Sequence, residues 1–82
     1  MSIEHLVRMV NDIADYFRSE SDGEVAIAGV SNHLKKYWDP RMRRQIVAHL
    51  HGSGDGMSEL ARAAVGRVAE LDRANAVHIS TP

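Results

Sequence analysis

The chain has 82 residues, no cysteine and a formal net charge of −1. That length suits one domain around one thin core, and the missing cysteine excludes disulfides, thiolate nucleophiles and cysteine metal sites. A near-neutral charge argues against general nucleic-acid or membrane-surface binding, no apolar run approaches a membrane span, and Glu4 stands where a secretory signal would carry positive charge, so the expected location is cytoplasmic.

Ser2 has the chemistry of an N-cap, and Ile3, Leu6, Val7, Val10, Ile13, Ala14 and Phe17 follow it at helical spacing. At about 100° per residue these positions form a stripe roughly 120° wide, as in a helix packed on one side. Met9 and Tyr16 sit on a shoulder of the stripe, which reads as a widened core face or as a second apolar surface for a partner. The segment SESDGE ends this helix, and the spacing of Ser21 and Glu24 predicts a capping box for the next one. The second helix is expected to bury Ala26, Ile27, Val30, Leu34, Tyr37 and Trp38, with His33 at the border and Lys35 and Lys36 outward. Proline disfavours helix in the residue before it yet suits the first helical position, and aspartate is a leading N-cap. Asp39-Pro40 therefore predicts a sharp structural corner between the second and third helices.

The third helix is read over about residues 40 to 51, with Met42, Ile46, Val47 and Leu50 inward. GSGDG, residues 52 to 56, is a flexible connector; it lacks the lysine and the preceding strand of a phosphate-binding loop. A fourth helix starts near Ser58 and carries Leu60, Ala61, Ala64, Val65, Val68 and Leu71 on one face, with Gly66 opposite. The tail from 73 to 82 is expected to be flexible. The predicted fold class is all-α: a single-domain bundle of four short helices, ordered over about residues 3 to 72.

Little in the chain suggests reaction chemistry. His49 and His51 lie about 200° apart on a helix and cannot share one metal, no HExxH pair exists, and no serine stands in a nucleophile-elbow context. Asp12 and Asp15 fall on a solvated face. The reading is a protein without its own active site and without a cofactor or metal of its own. The stronger lead is the run HLKKYWDPRMR, residues 33 to 43. Its basic residues and aromatics suggest a helix-turn-helix on nucleic acid, but the turn lacks that motif's usual glycine and both aromatics fall on the core stripe.

This run resembles the hallmark of the small delta subunit of bacterial NAD-dependent formate dehydrogenases that contain molybdenum or tungsten. The likeness rests on LVRMVNDIADYF in the first helix, on His33 through Arg43, and on Ala48, His49 and Leu50 ahead of the glycine-rich loop. It extends over roughly residues 3 to 72; Ser58, Glu59 and Leu60 stand where the family often has Ser-Pro-Leu, and the tail after Asp72 matches nothing in the family pattern. The resemblance implies an accessory subunit that supports assembly or stability of a cofactor-bearing alpha subunit. Molybdopterin, iron–sulfur clusters, FMN and NAD would then belong to the alpha, beta and gamma partners, with no nucleic acid and no membrane contact. Trp and Arg are frequent interface hot spots, so Lys36, Tyr37, Trp38, Arg41 and Arg43 are expected to meet the alpha subunit, on a corner set by Asp39 and Pro40. The alternative is a helical module that binds nucleic acid or associates with itself as a regulator.

Overall fold

The computed structural model describes residues 2–80, with side chains placed as far as residue 74. Four helices follow one another: α1 (Ile3–Phe17), α2 (Gly23–Tyr37), α3 (Pro40–Gly52) and α4 (Glu59–Ser80). No strand occurs among the described residues, so the all-α expectation holds. Side chains start three of the helices as the sequence implied. Ser2 accepts from His5 N–H, Asp39 accepts from Met42 N–H with Pro40 at the first helical position, and Ser58 Oγ accepts from Ala61 N–H. The start of α2 differs. Asp22, not Ser21, is its cap and accepts from Glu24 N–H at 2.9 Å; the helix begins at Gly23, one residue later than the capping-box spacing requires.

α4 is the central element and packs against the other three helices, most extensively against α2. Leu6, Val10 and Ala14 of α1, Val30 and Leu34 of α2, Ile46 of α3 and Ala61, Ala64, Val65 and Val68 of α4 form the buried core. Burial of such aliphatic side chains contributes about 1.5–3 kcal/mol each for the larger ones. The alanines of α4 let its neighbours approach closely. Met57, in the loop before α4, is also buried and closes the core beneath that loop.

Three inward assignments from the periodicity are corrected. Tyr37 is 66% exposed, because α2 ends at this residue and its ring projects beyond the core stripe that Leu34 and Trp38 continue. Leu71 is 38% exposed, one turn past Val68, where α4 extends beyond the buried core residues of the other helices. The Met9–Tyr16 shoulder divides: Met9 packs against the core, whereas Tyr16 is 80% exposed. Two positions that the pattern did not mark are structural. Ser31 is buried and donates its hydroxyl to Ala28 C=O at 3.2 Å, and Gly29 lies against the Phe17 ring so closely that a Cβ there would stand 2.5 Å from Phe17 Cε1. α4 is helical through Ser80. Of the tail expected to be flexible, residues 73–80 are helical backbone, and residues 81–82 lie outside the described residues.

Candidate functional site

The corner between α2 and α3 is built from the backbone outward. A helix leaves its last carbonyls without intrahelical donors, and Asp39-Pro40 removes the chain from the helical path before it can supply them. Trp38 N–H still reaches Leu34 C=O at 3.0 Å. The next donors come from a side chain: Arg43 Nη1 donates to Trp38 C=O at 2.7 Å and, more weakly, to Lys35 C=O at 3.4 Å. Arg43 follows Asp39 by one helical turn, so α3 sends the guanidinium back over the end of the helix that precedes it.

The same guanidinium meets α4. Arg43 Nε lies 3.6 Å from Asp72 Oδ2, and Lys35 Nζ lies 3.7 Å from Asp72 Oδ1. Nε is buried without a hydrogen-bond acceptor, so its contact with Asp72 is a Coulombic one at longer range. One carboxylate thereby joins cations from α2 and α3 to α4. The Arg43 side chain is only 17% exposed. Arg43, expected to be presented to a partner, instead turns into the chain, where Nη1 donates to the end of α2 and the guanidinium faces Asp72.

Trp38 is also turned inward, 4% exposed, and belongs to the core cluster. The corner's outward surface carries Lys36, Tyr37 and Arg41, exposed together with Asp39 and Pro40. Lys36 Nζ stands 5.5 Å from the Tyr37 ring centroid, and the His33 ring centroid lies 4.7 Å from it. Tyr37 thus has a cation and an imidazole beside its ring while most of its area meets solvent. Asp39 and Pro40 shape the corner as the sequence implied.

The glycine-rich connector is held by three side chains from three helices. Asn11 of α1 donates Nδ2 to Gly56 C=O at 2.8 Å and accepts Ser58 N–H on Oδ1 at 3.0 Å. His49 Nε2 lies 2.9 Å from Asp55 C=O, and Arg62 donates Nη2 to Gly54 C=O at 2.9 Å and Nε to Met57 C=O at 3.2 Å. Gly54 and Gly56 adopt φ of 66° and 82°, the left-handed region that glycine enters without a Cβ penalty. The connector reading holds, and the loop is pinned rather than loose. Asn11 had one sequence signal: asparagine is a poor helix former, so its place in mid-helix called for a side-chain partner. Asp72 had none, because its cations come from distant segments.

Among the described residues no three His, Cys, Asp or Glu side chains gather in a metal-binding group, and no helix is long and apolar enough to cross a membrane. What the fold defines is a small four-helix module whose distinctive residues build a braced corner and a braced loop. The chain belongs to the NADH-dependent formate dehydrogenase delta subunit family, FdsD, whose family model matches residues 5–65. The match spans the first three helices, the corner, the loop and the first turns of α4; Asp72 and Arg73 lie beyond it. No curated protein and no solved structure matches the chain.

Proposed function

We propose that this delta subunit is a non-catalytic accessory subunit that docks on the cofactor-bearing alpha subunit of a formate dehydrogenase and supports its assembly or stability in the cytoplasm. In this reading the chain binds no cofactor itself, and molybdopterin, iron–sulfur clusters, FMN and NAD reside in the partner subunits. The observation that carries the docking surface is Tyr37, a large aromatic left 66% exposed on a corner whose backbone is capped and braced. A rigid aromatic beside an exposed arginine loses little conformational entropy on binding, the property that favours such residues as hot spots. Arg41 and Lys36 complete this surface; Asp39 and Pro40 set its bend, and Trp38 and Arg43 hold its shape from beneath.

Co-expression of the tagged chain in its host, with identification of what co-purifies, tests the reading. The expected result is recovery of a large formate dehydrogenase subunit, lowered about tenfold or more by Tyr37→Ala with Arg41→Ala, the scale of hot-spot truncation. Both residues are exposed, so the variant keeps its fold. Recovery of the chain alone would overturn the accessory role, and undiminished recovery with the variant would overturn the corner as its surface.

A further inference from the structure

Five basic residues stand close together in the sequence between Lys35 and Arg44, but folding separates them. Lys35 and Arg43 are drawn to Asp72. Arg44 turns to another side of α3 and there meets residues from the distant end of the chain. A shallow groove between α3 and α4 is lined by Arg44, Val47, Ala48 and His51 from α3 and by Ala69, Asp72 and Arg73 from α4. The spacing explains the surface: 44, 47, 48 and 51 form one helical ridge, as do 69, 72 and 73. The floor is apolar and low because each helix contributes an alanine to it, Ala48 from α3 and Ala69 from α4.

The charges at the rim are unequal. Arg44 and Arg73 are exposed and form no ion pair among the described residues. The single acid, Asp72, already faces Lys35 and Arg43. Glu70 is exposed one turn before Arg73 and forms no ion pair with it. The groove is therefore an apolar strip between two arginines that form no ion pair among the described residues. Arg41 precedes Arg44 by three residues on the same ridge, so this surface runs toward the corner.

We propose that this α3–α4 groove is a second docking surface, and that its occupant is an acidic amphipathic protein segment: a helix with small or medium apolar side chains on the Val47, Ala48 and Ala69 floor and carboxylates against Arg44 and Arg73. Charge complementarity selects this occupant, since arginine pairs carboxylates through parallel hydrogen bonds. The apolar floor favours a protein segment over nucleic acid, for which a groove of phosphate-binding cations with a stacking platform would be needed. The floor and the two arginines that the test changes do not include Tyr37 or Arg41, so the proposal stands or falls independently of docking at the corner.

The test uses the full-length, isotope-labelled chain and two capped helical peptides with identical leucine spacing, one flanked by glutamates and the other by lysines, beside a mixed-sequence single-stranded oligonucleotide. The glutamate peptide is expected to shift the amide resonances of Val47, Ala48 and Ala69, with an affinity that falls as salt rises. Arg44→Glu combined with Arg73→Glu should weaken it about tenfold, since each reversed exposed charge changes a surface interaction modestly. Arg44→Gln with Arg73→Gln gives the same reading through loss of charge alone and guards against misfolding of the reversed variant. Equal response to both peptides, no response at the groove, an unaltered affinity in the variants, or preferential occupation of the groove by the oligonucleotide would each overturn the proposal.

Discussion

Arg43 Nη1 lies 2.7 Å from the carbonyl oxygen of Trp38, across the Asp39-Pro40 step that separates their helices. The contact solves a problem created by the proline. A sharp exit from α2 strands carbonyls that a longer helix would satisfy, and the arginine one turn into α3 supplies the donors. The corner is rigid because the residue that caps the end of α2 is anchored in α3 and also reaches Lys35 C=O of α2 and Asp72 of α4.

Replacing Arg43 by alanine should therefore reduce the unfolding free energy by about 2 kcal/mol, the scale of a charge-assisted hydrogen bond lost with its acceptor left behind. Arg43→Lys should restore less than half of this, because an ammonium is a single point donor without the planar fork. Urea denaturation with an unchanged m-value is the measurement. A loss near zero for the alanine variant would mean that water satisfies the carbonyls equally well.

Asp39 accepts the Met42 N–H at 2.9 Å, and removal of such a cap costs about 1 kcal/mol. Asp39→Ala should show that loss in thermal or chemical denaturation. Asp39→Asn, which keeps an acceptor oxygen, should stay within a few tenths of a kcal/mol of the parent. Equal destabilisation by both would point to the charge rather than the cap.

Asn11 makes two hydrogen bonds to the connector, one in each direction. Asn11→Ala should lower stability by about 1–2 kcal/mol and speed hydrogen exchange at the Ser58 amide while leaving Val65 and Val68 amides protected by the core. Asn11→Asp retains the acceptor for Ser58 and loses the donor to Gly56, so its Ser58 amide should exchange at close to the parent rate. Exchange at Ser58 unaffected by the alanine variant would refute the pinning role.

Two mid-helix glycines should respond oppositely to alanine. Gly66 has ordinary van der Waals space, with Leu50 Cδ2 at 3.9 Å from the added Cβ, so Gly66→Ala should raise stability by up to about 1 kcal/mol through helix propensity. Gly29→Ala receives the same propensity gain, but the new Cβ would be 2.5 Å from the Phe17 ring. That ring must leave its place between α1 and α2, and the net effect should be a lower melting temperature. Parallel melting curves decide the pair; a rise for both would show that the ring moves aside at little cost.

Helix number, order and caps could be read along the chain because they depend on neighbours in sequence. Periodic apolar residues, Ser2, Ser58 and Asp39-Pro40 act within one turn of where they stand, and each does in the structure what its chemistry implies. Asp22 displaced Ser21 as a cap because both have that capacity and one residue of offset separates them. The family hallmark was equally local, a continuous run from His33 to Arg43.

The division of that run into buried and exposed members was a tertiary decision. Trp38 and Tyr37 are adjacent aromatics with similar apolar mass, yet the end of α2 turns one into the core and leaves the other in water. Arg41 and Arg43 carry the same charge two residues apart, about 200° around the helix; only Arg43 faces the carbonyls of α2 and the carboxylate of Asp72. Asp72 and Arg73 acquire their surroundings when α4 packs beside α3, which brings a segment near the end of the chain against its middle. Sequence alone determined which residues could form helices and caps, since those interactions close over three or four positions. Which charges are spent inside the chain and which remain for a partner was decided by long-range packing, because a cation is neutralised by whatever folding brings within a few ångströms of it.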